Sequence, residues 1–321
     1  MYDNSKHFRI VLLRGLNIRG SDRVLLYFYK YLVRFVSKKL NMYDWQSPTS
    51  FRSARKATNN VLLHLDDPTY SESERESLID LLAHLRQKNR RLIVACTNKY
   101  TKNYLDSFLP SEISIIVPQG HLSLEQTIKN NHFESVNNQT FKVVYASPFI
   151  DIKGDMHEGH ETWDASHLLL DLLPKMLEIP GVEVHLIGRL GKNAERNVAQ
   201  RENVITYGLL PFNEVSEIVA SSDLGIYPRL KDNFRSVQKI TEYIGAGIPI
   251  LTYELTDSYL VKEHGLGKCV RSPEEFIREL GNLSQFPSEY FQYLDSVSLL
   301  RERLKWYNIV REMELRLLEQ S

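Results

Sequence analysis

Phe234-Arg-Ser-Val-Gln-Lys-Ile-Thr-Glu-Tyr-Ile-Gly-Ala-Gly-Ile-Pro-Ile250 is the stretch on which the reading of this chain turns. Apolar residues recur at helical spacing from Val237 to Gly245, which predicts a helix. Gly245-Ala-Gly-Ile-Pro then turns the chain tightly into Ile248–Thr252, which reads as a strand. Lys239 and Glu242 stand three apart, so they share one face near the start of the helix. A helix start offers free backbone N–H groups and partial positive charge, which suits a diphosphate. Ser236 can donate to a phosphate, Lys239 can neutralise it, and Glu242 can accept two ribose hydroxyls at once. The same letters also fit an amphipathic helix that simply ends on a glycine cap.

Outward from this stretch, strands and helices alternate. Phe141–Ala146, Val182–Ile187, Val204–Tyr207 and Asp223–Tyr227 read as strands before it, with helices over Trp163–Glu178 and Phe212–Ala220. A helix over Pro273–Leu283 and a long helical pattern over Phe291–Leu318 follow it. Toward the amino end, Phe8–Leu13, Val61–Leu65, Arg91–Cys96 and Ile113–Val117 read as strands. Helices are expected from Ser21 or Asp22 to Leu40, from Ser71 to Lys88 and over Thr101–Phe108, and Tyr43–Asn60 is polar with little periodicity. Such alternation predicts parallel, doubly wound sheets.

At 321 residues the chain exceeds one hydrophobic core, and the polar run Asn130–Gln139 reads as a linker. The expected division is 1–138 and 139–300, each Rossmann-like, with a helix over 301–321 returning to the first domain. Two such domains in tandem imply a cleft between facing carboxyl edges of strands, where open α/β sheets bind ligands.

Composition narrows the classes. Cys96 and Cys269, the only cysteines, exclude a disulfide scaffold or a cysteine-based zinc site and favour a reducing compartment. Met1–His7 is polar and the apolar run after it is short, so no secretory signal is expected, and a cytoplasmic location is. Val24–Val36, broken by Lys30 and Arg34, is too short to span a bilayer. The net charge is zero, yet Met1–Phe141 holds 20 Lys and Arg against 13 Asp and Glu, and the remainder 20 against 27. Either the halves take different partners, or they attract each other. The basic residues form no dense patch, so nucleic acid is not an expected partner.

Lys239-x-x-Glu-Tyr-x-x-Ala-Gly-x-Pro resembles the donor-binding helix of retaining GT-B glycosyltransferases, in particular the large family four. Three further segments fall in that family's order: Tyr145-Ala-Ser-Pro-Phe-Ile-Asp-Ile-Lys-Gly154, Val184-His-Leu-Ile-Gly188, and Asn203-Val-Ile-Thr-Tyr-Gly-Leu-Leu-Pro211 with Asp223-Leu-Gly-Ile-Tyr-Pro228. The likeness covers about Phe141 to Leu283 and is specific as an ordered set. It is fainter in the first half, at Gly20-Ser21 and at Val117-Pro-Gln-Gly120.

The resemblance implies a GT-B fold and transfer of a hexosyl group, with retention, from a UDP- or GDP-sugar to an acceptor hydroxyl in glycan or polysaccharide synthesis. It gives Lys153 and Lys239 the charge developing on the leaving diphosphate. Donor contacts fall to Gly20, Ser21, Ser147, Gly188, Arg189, Tyr207, Gly208, Leu209, Ser236, Lys239 and Glu242. No metal or other cofactor is expected, and the acceptor would be a saccharide or a lipid-linked one. Two departures stand out: the glutamate expected eight residues before Glu242 is Phe234, and the arginine expected five before Lys153 is Pro148. A nucleotide-sugar epimerase and a non-catalytic GT-B partner subunit are the competing readings.

Three features stay open. His64, His84 and His121 are candidates for a family histidine, or are structural. Asp155-Met-His-Glu-Gly-His-Glu-Thr-Trp163 lengthens a loop; His157 and His160 with two glutamates can bind a metal, though without the spacing of a zinc helix. The aromatic and basic helix over 22–40 either packs inside a domain or lies on an anionic bilayer at the inner membrane face, exposing Tyr27, Tyr31 and Phe35 together.

Overall fold

The computed structural model describes residues 8–13, 41–44, 60–65, 79–80, 83, 87, 92–107, 114–116, 118, 120–121, 140–150, 163–230, 238–305, 308–309 and 311–312. The helix over 22–40, the linker over 130–139, the loop over 155–162, and Gly20, Ser21, Lys153 and Ser236 lie outside the described residues. The chain divides into two compact units. Unit 1 comprises Met1–Gln119, Asn233–Ser236 and Tyr307–Ser321; unit 2 comprises Gly120–Asp232 and Val237–Trp306.

Unit 1 carries the strands β1 (Phe8–Leu13), β2 (Asn41–Asp44), β3 (Asn60–Leu65), β4 (Leu92–Cys96) and β5 (Ser114–Ile116), and the helix α1 (Lys99–Asp106). The sheet order is β2-β1-β3-β4-β5, with every pair parallel. β2 lies between the expected helix to Leu40 and the polar stretch Tyr43–Asn60 and overlaps the start of the latter, where periodicity predicts no strand. Asn-Met-Tyr-Asp has no apolar alternation, and its strand form follows from register with β1 (Arg9↔Asn41 to Leu12↔Asp44). α1 starts on Asn98, whose side chain accepts from the Thr101 backbone N–H at 2.8 Å.

Unit 2 is built on β6 (Phe141–Ile150), β7 (Val182–Leu190), β8 (Val204–Thr206), β9 (Leu224–Tyr227), β10 (Ile250–Tyr253) and β11 (Gly267–Val270). Between them run α2 (Trp163–Met176), α3 (Lys192–Val198), α4 (Phe212–Ala220), α5 (Gln238–Ala246), α6 (Tyr259–His264), α7 (Pro273–Gln285) and α8 (Pro287–Arg303). The order β11-β10-β9-β6-β7-β8 is the doubly wound one, reversing direction between β6 and β9. Val143, Val144, Val184, Leu186, Leu224, Ile226, Ile250 and Leu251 are wholly buried, as expected for parallel strands covered on both faces. The long carboxyl-terminal helix begins at Pro287, before the expected Phe291, and ends at Arg303; residues 308–309 and 311–312 are helical again, and the rest of the expected pattern to Leu318 lies outside the described residues. α3, α6 and β11 are elements that the alternation did not flag. Among the described residues no helix is long and apolar enough to cross a membrane.

The Asp223 motif is an anchor. Its carboxylate accepts from the Lys142 N–H at 2.7 Å, its own N–H donates to the Lys142 carbonyl at 2.8 Å, and the Tyr290 hydroxyl donates to its carbonyl at 2.8 Å. Asp223 therefore joins the amino ends of β6 and β9, opposite the edge where α5 starts.

Candidate donor site

The carboxyl edge of β6 and β9 is the switch point of unit 2, and α5 starts above it. Here β6 is irregular. Its pairing with β7 shifts between Ala146 and Phe149, leaving Ser147 and Pro148 out of register. Gly188 faces that irregularity at φ +141°, and a Cβ there would lie 1.7 Å from the Ser147 carbonyl oxygen. Only glycine lets the two backbones approach so closely. Gly188 N–H in turn donates to the Gly208 carbonyl at 2.8 Å, and Gly208 has φ +68°. Ser147, Gly188 and Gly208 are thus brought together at one edge. Arg189 and Leu209 next to them are exposed, Leu209 by 63%.

Tyr207 is turned to a different use. Its hydroxyl lies 2.7 Å from His185 Nδ1, while His185 Nε2 lies 2.6 Å from the Glu183 carboxylate. With Nε2–H donated to the carboxylate, Nδ1 accepts the phenolic proton. The His185 and Tyr207 rings also stack, 5.7 Å between centroids. Burial raises the Tyr207 pKa, and the Glu183 charge adds to this. The phenol therefore stays a donor to His185.

Lys239 and Glu242 lie on the first turns of α5, as their spacing predicts. Glu242 is half-buried, and Gln238 Nε2–H donates to its Oε1 at 2.9 Å. Burial raises the Glu242 pKa; the Lys239 charge and the Gln238 hydrogen bond pull it back down. Lys239 Nζ stands 5.4 Å from the Tyr145 ring centroid on β6 and 5.6 Å from that of Tyr227 on β9.

Tyr243, next in the motif, fills the switch point from above. Its ring occupies the space a Cβ on Gly225 would need, at 2.5 Å. Its hydroxyl donates to the Ile226 carbonyl on β9 at 3.1 Å, and the Ala146 N–H on β6 lies 3.4 Å away. The wholly buried phenol is held well above its ordinary pKa by desolvation. The Glu-Tyr pair thus has one residue for the edge and one for the sheet beneath it.

Reading by motif missed Gln238, Tyr145, Tyr227 and Arg229. Arg229 follows β9, is 4% exposed, and donates from Nη1 to the Tyr227 hydroxyl at 3.2 Å. Its signal was an arginine two residues past an apolar strand, and the meeting of Tyr145 and Tyr227 at Lys239 needs the sheet order. His121 has a structural setting. It is 4% exposed, its Nε2–H donates to the Arg301 carbonyl at 2.8 Å, and its ring fills the space against Gly245. His64 lies on β3 in unit 1; His84, His157 and His160 lie outside the described residues.

No protein-family model matches the chain, and no curated protein matches it in sequence. Solved structures match it in fold. HepE of Anabaena, in complex with UDP and glucose, superposes with a TM-score of 0.63 at 13% identity, covering 98% of this chain and 100% of that one. The fold is GT-B. WaaG, a glycosyltransferase involved in lipopolysaccharide biosynthesis, aligns at 12% identity over 95% of this chain and 98% of its own, TM-score 0.57. The UDP-forming α,α-trehalose-phosphate synthase of Burkholderia xenovorans aligns at 9% identity over 92% and 77%, TM-score 0.59. At these identities the likeness is one of fold, and the GT-B architecture agrees with what the Lys239–Pro249 motif implies.

Proposed function

We propose that this GT-B protein is a glycosyltransferase that moves a hexosyl group from a UDP- or GDP-sugar to an acceptor hydroxyl, with retention at the transferred carbon. The observation that carries the reading is the Lys239–Glu242 pair. An ammonium and a half-buried carboxylate share the start of a helix at the switch point of a doubly wound sheet. Lys239, with Lys153, meets the diphosphate, and Glu242 accepts the ribose hydroxyls. Gly188, Arg189, Gly208 and Leu209 line the nucleoside end together with the backbone of Tyr207. The family resemblance further assigns phosphate contacts to Ser147, Ser236, Gly20 and Ser21. Unit 1 takes the acceptor, a saccharide or a lipid-linked one.

In the reaction the bond from the sugar carbon to the diphosphate oxygen breaks and a bond to the acceptor oxygen forms. The electron pair of the broken bond leaves on the diphosphate, where Lys153 and Lys239 offset the growing charge. With retention the acceptor arrives on the face the diphosphate leaves, so a departing phosphate oxygen is the base at hand for its proton. Two structures of one neighbour support a UDP-sugar donor: HepE is known with UDP and glucose and also with UDP-glucose. The test is a screen of UDP- and GDP-sugars with saccharide acceptors, read by NMR at the new anomeric centre. Acceptor-dependent product of unchanged anomeric configuration is expected. Conversion of the donor without acceptor points to an epimerase, and absence of donor binding to a non-catalytic subunit.

A further inference from the structure

Lys239 has a flexible four-carbon stem, and a compact ammonium on such a stem is costly to hold in one place. At the switch point the Tyr145 and Tyr227 ring centroids lie 5.4 and 5.6 Å from its Nζ, both within cation–π range. The two tyrosines come from adjacent strands, β6 and β9, and are 0% and 4% exposed, so the rings themselves are fixed. Arg229 adds a third element by donating to the Tyr227 hydroxyl at 3.2 Å. That bond holds the Tyr227 ring by its far end.

We propose that Tyr145 and Tyr227 form an aromatic seat that positions the Lys239 ammonium for the donor diphosphate, and that Arg229 is a positioning residue acting through the Tyr227 hydroxyl. The inference rests on the reading of Lys239 as a diphosphate contact. An ammonium facing two ring faces keeps its charge while losing part of its water, so it meets an anion already oriented. Aromatic faces do this without competing for the anion, as a carboxylate partner would.

The test compares UDP with uridine, and GDP with guanosine, by calorimetric titration of the full chain. Tyr145→Phe and Tyr227→Phe are made with zero, two or four fluorines on the ring, which weakens the ring face at nearly constant size. The nucleoside diphosphate affinity should fall stepwise with fluorine count, by about three- to thirtyfold in all, with nucleoside affinity unchanged. Each fluorinated Tyr145→Phe is read against unfluorinated Tyr145→Phe, and unfluorinated Tyr227→Phe and Arg229→Met should each lose about threefold in diphosphate affinity alone. Equal loss for diphosphate and nucleoside, or no dependence on fluorine count, overturns the seat. Lys239→Ala separates the two levels. If it leaves the diphosphate-to-nucleoside ratio unchanged, the assignment of Lys239 fails and the seat with it; if it collapses the ratio while the fluorine series is flat, only the seat fails.

Discussion

Glu183, His185 and Tyr207 toward the β7–β8 edge, and Gln238, Lys239 and Glu242 above β6 and β9, are both polar clusters set on apolar strands. They differ in what their charges meet. In the first, carboxylate, imidazole and phenol are joined in one chain of 2.6 and 2.7 Å contacts. In the second, Gln238 meets one carboxylate oxygen of Glu242, while the Lys239 ammonium faces two rings and its charge also reaches Glu242. A cluster that answers itself secures architecture. A cluster whose ammonium rests on ring faces rather than in a closed hydrogen-bond chain is arranged for a ligand.

Substitutions can break this contrast in order of size. Lys239→Ala and Glu242→Ala should lower transfer by on the order of a hundredfold or more while shifting the melting temperature little, since neither is in the wholly buried core. Gly188→Ala should act the other way and cost ~3 kcal/mol or more of stability, because its Cβ would meet the Ser147 carbonyl at 1.7 Å. Denaturant unfolding reads it directly. Tyr207→Phe should cost about 1 kcal/mol through the lost His185 bond and leave donor affinity intact. A large loss of affinity there would move the phenol from the architectural cluster to the binding one.

Two pH effects sharpen the same contrast. Glu242 has a folded pKa raised by burial, so its contribution to stability falls as pH rises through that value. Glu242→Gln should therefore raise the melting temperature at neutral pH. On the proposed reading donor binding needs the carboxylate, so its acid limb should be shifted upward from that of an ordinary carboxylate. His121 has a pKa lowered by burial from the ordinary 6.5, so its contribution is complete above 6.5 and is lost as pH falls below it. His121→Gln should flatten stability between that pH and the acid range.

Much of this was legible in the sequence. Long apolar runs such as Phe141–Ala146 and Val182–Ile187 gave strands, because a parallel strand buried on both faces has little else to be made of. The spacing of Lys239 and Glu242 gave their common face. β2 and β11 were not legible, since each sits at a sheet edge with a single partner and few apolar side chains. Gly267 shows why: at φ +149° its added Cβ would lie 1.9 Å from the Ile250 carbonyl, a constraint that exists only once β10 is beside it. The tyrosines and Arg229 were hidden for the same reason. Tyr145 and Tyr227 are far apart in sequence and meet at Lys239 only because β6 and β9 are neighbours.

The central claim is that Lys239 and Glu242 bind a nucleotide diphosphate sugar. Calorimetric titration of UDP- and GDP-sugars into the wild type, Lys239→Ala and Glu242→Ala tests it most directly. The account predicts saturable binding of one donor class by the wild type, and its loss in both variants with the fold intact. Unchanged donor affinity in both variants would contradict it.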